Sequence, residues 1–276
     1  MQIIPLFELI AGALAAVILI MLPIELWRQR RTLNRAAWKE MAASAGVLLP
    51  ALATSGVVVA FITVLWGAAD ALTPWRIPTN GWSALLCLLL VDFLFYWDHR
   101  MAHRVRGLWA VAHSVHHSSP RYDQTTGLRV SFVDGFTSPW FYLPAVLIGF
   151  DPLLVAAAFG LMLAYQQWLH TETIGRLGWF DRIFNSPANH RVHHGSQDVY
   201  LDKNYGGILI LWDRLFGTWE PEREQPIYGL TTPIGSSHLW TVHTAEAGSL
   251  WRDLRAARSW RARLRLIIAP PGTAVS

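Results

Sequence analysis

Charge is scarce in this chain. Asp, Glu, Lys and Arg make up 15% of its 276 residues, where a soluble domain usually carries about 25%, so a freely soluble globular protein is disfavoured. Cysteine is almost missing. Cys87 stands alone, which excludes an intrachain disulfide and any zinc site built on paired thiolates. Internal repeats, low-complexity tracts and flexible linkers are absent, and with them repeat architectures and strings of tethered domains. No nucleic-acid-binding motif occurs. The basic stretches, Arg28 to Lys39 and Arg252 to Arg265, have a simpler partner in a lipid surface, and no nucleic acid partner is expected.

What is present is apolar sequence, with 53% hydrophobic residues and 15 tryptophans. Apolar runs cover 3–22, 45–66 and 82–97, and about 20 residues suffice to cross a ~30 Å hydrocarbon core. The first run has no basic region ahead of it and is as long as a full span, so it reads as a span and not as a signal peptide. A fourth apolar region, 132–169, is interrupted by Pro139, Pro144 and the Asp151-Pro152 step. Two shorter helices forming a hairpin are expected there, because proline ends or kinks a helix. Tryptophans 97, 109, 140, 168, 179 and 212 near the proposed boundaries read as an aromatic belt.

Loop charge sets the orientation. Arg28, Arg30, Arg31, Arg35 and Lys39 follow the first run, whereas 67–81 holds only Asp70 and Arg76. The positive-inside rule places the first loop in the cytoplasm, and counting crossings brings the chain back to that side at Asp98 and at His170. The expected fold is an all-α integral membrane protein with about four transmembrane segments or hairpin arms and a cytoplasmic helical cap. Its expected location is a bacterial inner membrane or an equivalent, crossed several times. The stretch 251–268, six arginines interleaved with Trp251, Leu254, Trp260, Leu264 and Leu266, has the pattern of a basic helix lying on anionic lipid; a solvated arginine-rich helix is the competing reading.

Histidine supplies the chemistry. Nine of the eleven fall between residues 99 and 194, in the clusters His99/His103, His113/His116/His117 and His190/His193/His194, with His170 alone between the last two. Spacings of three and four share a helix face, and neutral imidazole is the commonest protein ligand for first-row metals. A catalytic zinc takes three protein ligands, so nine histidines suit two metals with four or five nitrogens each. Two redox metals beside a lipid-facing cavity point to attack by O2 on an unactivated C–H bond, chemistry that no ordinary acid, base or nucleophile performs. Asp92 sits in an apolar run, where a carboxylate is costly, two turns before His99, and is a candidate hydrogen-bond partner for a ligand ring; Asp98, Asp202 and Asp213 have similar standing. His238 and His243 are five apart and read as structural.

Three segments carry a family resemblance: Asp92-Phe-Leu-Phe-Tyr-Trp-Asp-His-Arg-Met-Ala-His103, His113-Ser-Val-His-His-Ser-Ser119 and Asn189-His-Arg-Val-His-His-Gly195. They resemble the histidine boxes of the fatty acid hydroxylase and sterol desaturase superfamily. Asp202-Lys-Asn-Tyr-Gly-Gly207, Leu211-Trp-Asp-Arg-Leu-Phe-Gly-Thr218, Thr125-Thr-Gly-Leu-Arg129 and Tyr165-Gln-Gln-Trp-Leu-His-Thr-Glu172 are similar to its alkylglycerol monooxygenase-like branch. The resemblance implies an integral membrane di-iron enzyme that uses O2 to hydroxylate or desaturate a fatty acyl, alkyl-glycerol or sterol-like lipid. It implies the eight boxed histidines and His170 as ligands of two iron ions, and it names no catalytic residue beyond them. Some relatives have a further histidine after the one matching His170. Here Thr171-Glu-Thr-Ile174 follows, which leaves Glu172, Asn189 or water as the substitute. No haem or iron–sulfur motif is visible, so a separate electron donor is expected, a reduced pterin or a redox protein. The organisation expected is an N-terminal transmembrane hairpin over 1–81, a histidine-box domain over 82–222 and a basic interfacial tail over 223–276. A membrane metal-binding protein or transporter using the clusters as a metal or proton relay is the alternative. A zinc hydrolase or a bis-histidine haem protein would leave most of the histidines unused.

Overall fold

The computed structural model describes residues 3–274, which are helical with no strand among them; two isolated bridges join Phe184 to Leu209 and Gly195 to Tyr228. Three long helices come first. Helix α1 spans Ile3–Gln29, α2 Arg35–Ala71 and α3 Gly81–Arg104, and all three are long and apolar enough to cross a membrane. Asn34 caps α2 by accepting from the Ala37 amide, and Asn80 and Ser83 form a capping box on α3, satisfying amides that a helix start leaves unpaired. In α1 and α2 only 6% of the apolar window is buried against protein, against 39% in α3. The first two therefore have little protein against them, and α3 is the most enclosed of the three. The 37 residues of α2 extend about 55 Å, so its first turns project beyond a ~30 Å core.

Short segments follow: α4 (Arg106–Leu108), a π turn (Trp109–His113), α5 (Ser114–His117) and a 3-10 turn (Thr126–Leu128). The expected hairpin forms with one arm broken. The first arm is α6 (Asp134–Thr137), a 3-10 turn (Ser138–Tyr142) and α7 (Leu143–Leu147), and only the return arm, α8 (Pro152–Gln167), is a single helix. Pro139 and Pro144 each remove an amide and restrict the residue before them, which divides that arm into pieces. Its turn is tied to the loop before α3 by the Ile77 amide donating to Gly149 O (2.8 Å). After α8 come a 3-10 turn (Phe180–Arg182), α9 (Pro187–His193), α10 (Leu211–Phe216), α11 (Leu239–Ala256) and α12 (Trp260–Ile268).

Phe7, Trp66, Val91, Tyr142 and Val155 share one buried cluster between the spans and the hairpin. At the opposite end from Ile77 and Gly149, polar side chains join the elements. Glu25 of α1 accepts from the Gln124 amide (2.9 Å) and the Thr171 hydroxyl (2.5 Å). Glu40 of α2 pairs with the buried Arg129. The histidines lie at this end.

Candidate metal centre

The second and third histidine clusters are each divided between two sites, and the first goes whole to one of them. His99 and His103, one turn apart on α3, join His113, His117 and His193 in one group; His116, His170, His190 and His194 form the other, and within each group the ring nitrogens lie within 4.8 Å of one another. The π turn before α5 shifts the following residues around the axis, a distortion common at functional sites. His113 and His117 then face the first group while His116 turns to the second. On α9, capped by Ser186 with Pro187 at its start, His190 and His194 face one group and His193 the other.

Backbone carbonyls aim the rings. His99 Nδ1 donates to Tyr205 O (2.9 Å), His193 Nδ1 to Lys203 O (2.9 Å) and His116 Nδ1 to Arg129 O (3.3 Å). A carbonyl only accepts, so in these neutral rings the proton is on Nδ1 and the inward Nε2 offers a lone pair. The acceptors at 203 and 205 belong to a loop in which Asp202 (φ 59°) and Asn204 (φ 57°) hold left-handed backbone, strain that persists only where surroundings impose it. Asn204 is held by the Asn189 carbonyl and the Glu220 backbone. Asp213 fixes the next turn by accepting from the amides of Tyr205 and Gly206 (2.8 and 2.7 Å).

The inward nitrogens are crowded. His99 Nε2 is 3.0 Å from His113 Nε2, and His117 Nε2 is 3.1 Å from His193 Nε2. His170 Nε2 faces both His116 Nε2 (3.2 Å) and His190 Nε2 (3.0 Å), and His190 Nε2 also faces His194 Nε2 (3.2 Å). A neutral ring nitrogen has one proton or one lone pair, so it cannot serve two such neighbours well. Two nitrogens at right angles around an ion about 2.1 Å from each are about 3.0 Å apart. The spacing therefore fits ions better than a hydrogen-bond network. Burial pushes His113, His117, His170, His190, His193 and His194 well below the usual histidine pKa, with neighbouring imidazoles adding to the effect, and brings His116 down to about 4. The rings are thus neutral at physiological pH, the form that binds metal.

The carboxylates expected beside the ligand rings lie elsewhere. Asp92 accepts from the amides of Ile208 (2.5 Å) and Leu209 (3.2 Å) and from Trp212 Nε1 (2.8 Å); it holds the loop, not a histidine. Gly207 makes that approach possible, because a Cβ there would be 2.5 Å from Asp92 Oδ1. Asp98 meets the Tyr142 hydroxyl at 3.5 Å. Asp202 stands 3.8 Å from His103 Nδ1, too far for a hydrogen bond, and pairs with Arg104. Glu172 accepts from Gln225 (2.7 Å) and Tyr228 (3.1 Å) and is not in the four-histidine group, and Asn189 donates to Asp181 O (2.9 Å). For His99, His116 and His193 a backbone carbonyl already occupies the Nδ1 side, whereas Nδ1 of His170 and of His190 has no hydrogen-bond partner among the described residues. Two tryptophans of the expected belt are half-buried against other side chains: Trp212 on Asp92, and Trp109 with ring centroids 5.1 Å from His103 and 5.5 Å from His117. His243 lies outside both groups and bonds Val47 O (3.2 Å).

Sequence reasoning passed over Glu25, Glu40 and Glu222, the bidentate partner of Arg191 (2.6 and 2.8 Å). Glu25 carried the signal that singled out Asp92, a carboxylate in an apolar run. A cleft of about 400 Å³ reaches His103, His117, His193 and His194 between Trp109, Thr231, Ser249 and Pro270, and so gives access to the five-histidine group.

Residues 84–218 match the fatty acid hydroxylase family model. The chain is 41% identical over 232 residues to alkylglycerol monooxygenase of Xenopus tropicalis, covering 83% of this chain and 51% of that protein. It is 32% identical over 163 residues to ornithine lipid hydroxylase of Rhizobium tropici, covering 58% and 49%. Against lathosterol oxidase of Rattus norvegicus it is 30% identical over 148 residues, covering 51% and 48%. The chain thus spans about half the length of these relatives. No solved structure matches it.

Proposed function

We propose that this chain, whose residues 84–218 match the fatty acid hydroxylase family model, is a membrane-bound, O2-dependent oxidoreductase that hydroxylates or desaturates a lipid. The observation that carries the proposal is the sorting of nine histidines, seven of them buried and His113 and His116 half-buried, into groups of five and four, a donor set for two iron ions. Iron held there supplies O2 activation and removal of hydrogen from an unactivated C–H bond. The protein's part is placement: His99, His103, His113, His117 and His193 would hold one ion and His116, His170, His190 and His194 the other. Carbonyls of residues 129, 203 and 205 keep three rings in the ligating tautomer, and burial keeps water from the reacting carbon. Asp92 and Asp213 act through the loop that carries two of those carbonyls. Electrons come from a separate donor. The relatives' substrates suggest an acyl, alkyl-glycerol or sterol-like lipid. The organisation proposed is a transmembrane hairpin over 1–81, the histidine domain over 82–222 and a basic tail over 223–276.

Lipids from cells with and without the gene, grown under ¹⁸O2, test the activity. The expected product carries one labelled oxygen, or has lost two hydrogens if the outcome is an alkene. Label arriving only from water would contradict the proposal. For orientation, Arg28, Arg30, Arg31, Arg35 and Lys39 belong to the histidine end, so that end is proposed to be cytoplasmic. Cysteines placed at the exposed positions Gly81 and Ser236, with Cys87 replaced, are expected to react with an impermeant reagent from opposite sides. Reaction of both from one side would overturn the topology.

A further inference from the structure

Helices α11 and α12 carry apolar side chains on two opposite faces. The inner face is packed: Leu250, Ala257 and Leu266 share a buried cluster with Ala110, and Ile267 lies 3.0 Å from where a Cβ on Gly107 would be. The outer face of α12 has no protein against it, with Trp260 67% exposed, Ile268 58% and Leu264 48%. At 3.6 residues per turn, positions 260, 264 and 268 share one side of the helix and 262 and 266 the other. Arg261 and Arg265 flank the outer apolar stripe on one edge and Arg263 on the other. On α11, Trp240 and Trp251, also exposed, are three turns apart on one face with Arg255.

The charge on this face is unpaired. None of the six arginines between 252 and 265 has a carboxylate partner among the described residues, and Asp253, the one acid in that stretch, is taken by Arg106. The attachment points lie where spans leave the apolar zone. The Arg106 amide, two residues past the end of α3, donates to Ala269 O (3.0 Å), and His243 of α11 bonds Val47 O of α2 (3.2 Å).

Water alone leaves Trp260, Leu264 and Ile268 exposed, and a protein partner would have to bury the stripe and neutralise the arginines as well. Anionic headgroups do both, taking apolar side chains into the acyl boundary while arginines extend to the phosphates. We propose that α12, with the last turns of α11, lies on the anionic headgroup surface of the same bilayer that α1, α2 and α3 cross. Each arginine near such a surface strengthens the contact about fivefold, so the three arginines of α12 dominate it.

The test places a nitroxide at Leu264→Cys in the full chain, with Cys87→Ser, in nanodiscs of phosphatidylcholine alone or mixed with phosphatidylglycerol. Collision with O2 and with a water-soluble nickel chelate reads the depth of the label. In mixed discs the label is expected at headgroup depth, favouring O2. It should move toward water in pure phosphatidylcholine and in a variant with Arg261, Arg263 and Arg265 changed to Glu, whose bound metal and thermal midpoint stay as in the parent. A label open to the chelate in mixed discs, or a depth insensitive to both changes, would overturn the proposal. Dipolar broadening between labels on two copies would assign the face to a second chain and overturn it equally.

Discussion

His193→Ala and His190→Ala, three residues apart on one short helix, are expected to empty different metal sites. His193 belongs to the five-histidine group and His190 to the four-histidine group. Each change removes a ring nitrogen at about 3 Å from its neighbours, so each should lower bound iron by one ion per chain. Turnover should fall by more than about 100-fold in both, since removing a mere neighbour of a ligand typically costs 10–100-fold. Iron counting on folded protein reads the first effect, and product formation the second. His243→Ala, at a buried site outside both groups, should keep both ions and most of the activity. Loss of the same ion in both ligand variants would refute the division.

The other large effect is on folding. Arg129 is 1% exposed, and its guanidinium serves Ser44 Oγ (3.0 Å), Ser118 Oγ (2.7 Å) and the Glu40 carboxylate. It joins α2 to the segment that carries the second histidine cluster. Arg129→Met leaves Glu40 without its guanidinium, and breaking a buried pair from one side costs about 3–5 kcal/mol. A marked drop in the detergent unfolding midpoint is expected. Adding Glu40→Gln should recover part of it, because the uncompensated charge is then gone. A midpoint unchanged in the single variant would show that the pair contributes nothing.

The convergence of the histidines was legible because helical spacing repeats through the clusters, and counting apolar runs already brought them to one end of the spans. How the second and third clusters divide was not. His116 and His117 point to different groups because a π turn precedes them and because α9 approaches from a particular direction, and neither leaves a residue-type signature. The partners of the rings were misread for a related reason. Carboxylates can be seen in a sequence, so Asp92, Asp202 and Glu172 drew notice, whereas the acceptors are carbonyls of Arg129, Lys203 and Tyr205, and every residue has a carbonyl. Asp92 was rightly noticed as a costly carboxylate in an apolar run, yet it binds the amides of 208 and 209, a contact that depends on Gly207 passing close by. Glu25 was overlooked although its sequence setting resembles that of Asp92. The broken arm from 134 to 147 follows from prolines already visible at 139 and 144; the number of pieces depended on the loops they had to meet.

The central claim is that the two histidine groups hold two ions. Detergent-purified chain, stripped with chelator and reloaded with ferrous iron under anaerobic reducing conditions, should retain about two iron ions per chain after desalting, as four to five nitrogen ligands for each ion require. Retention that never exceeds one ion per chain, with iron or any other metal, would contradict it.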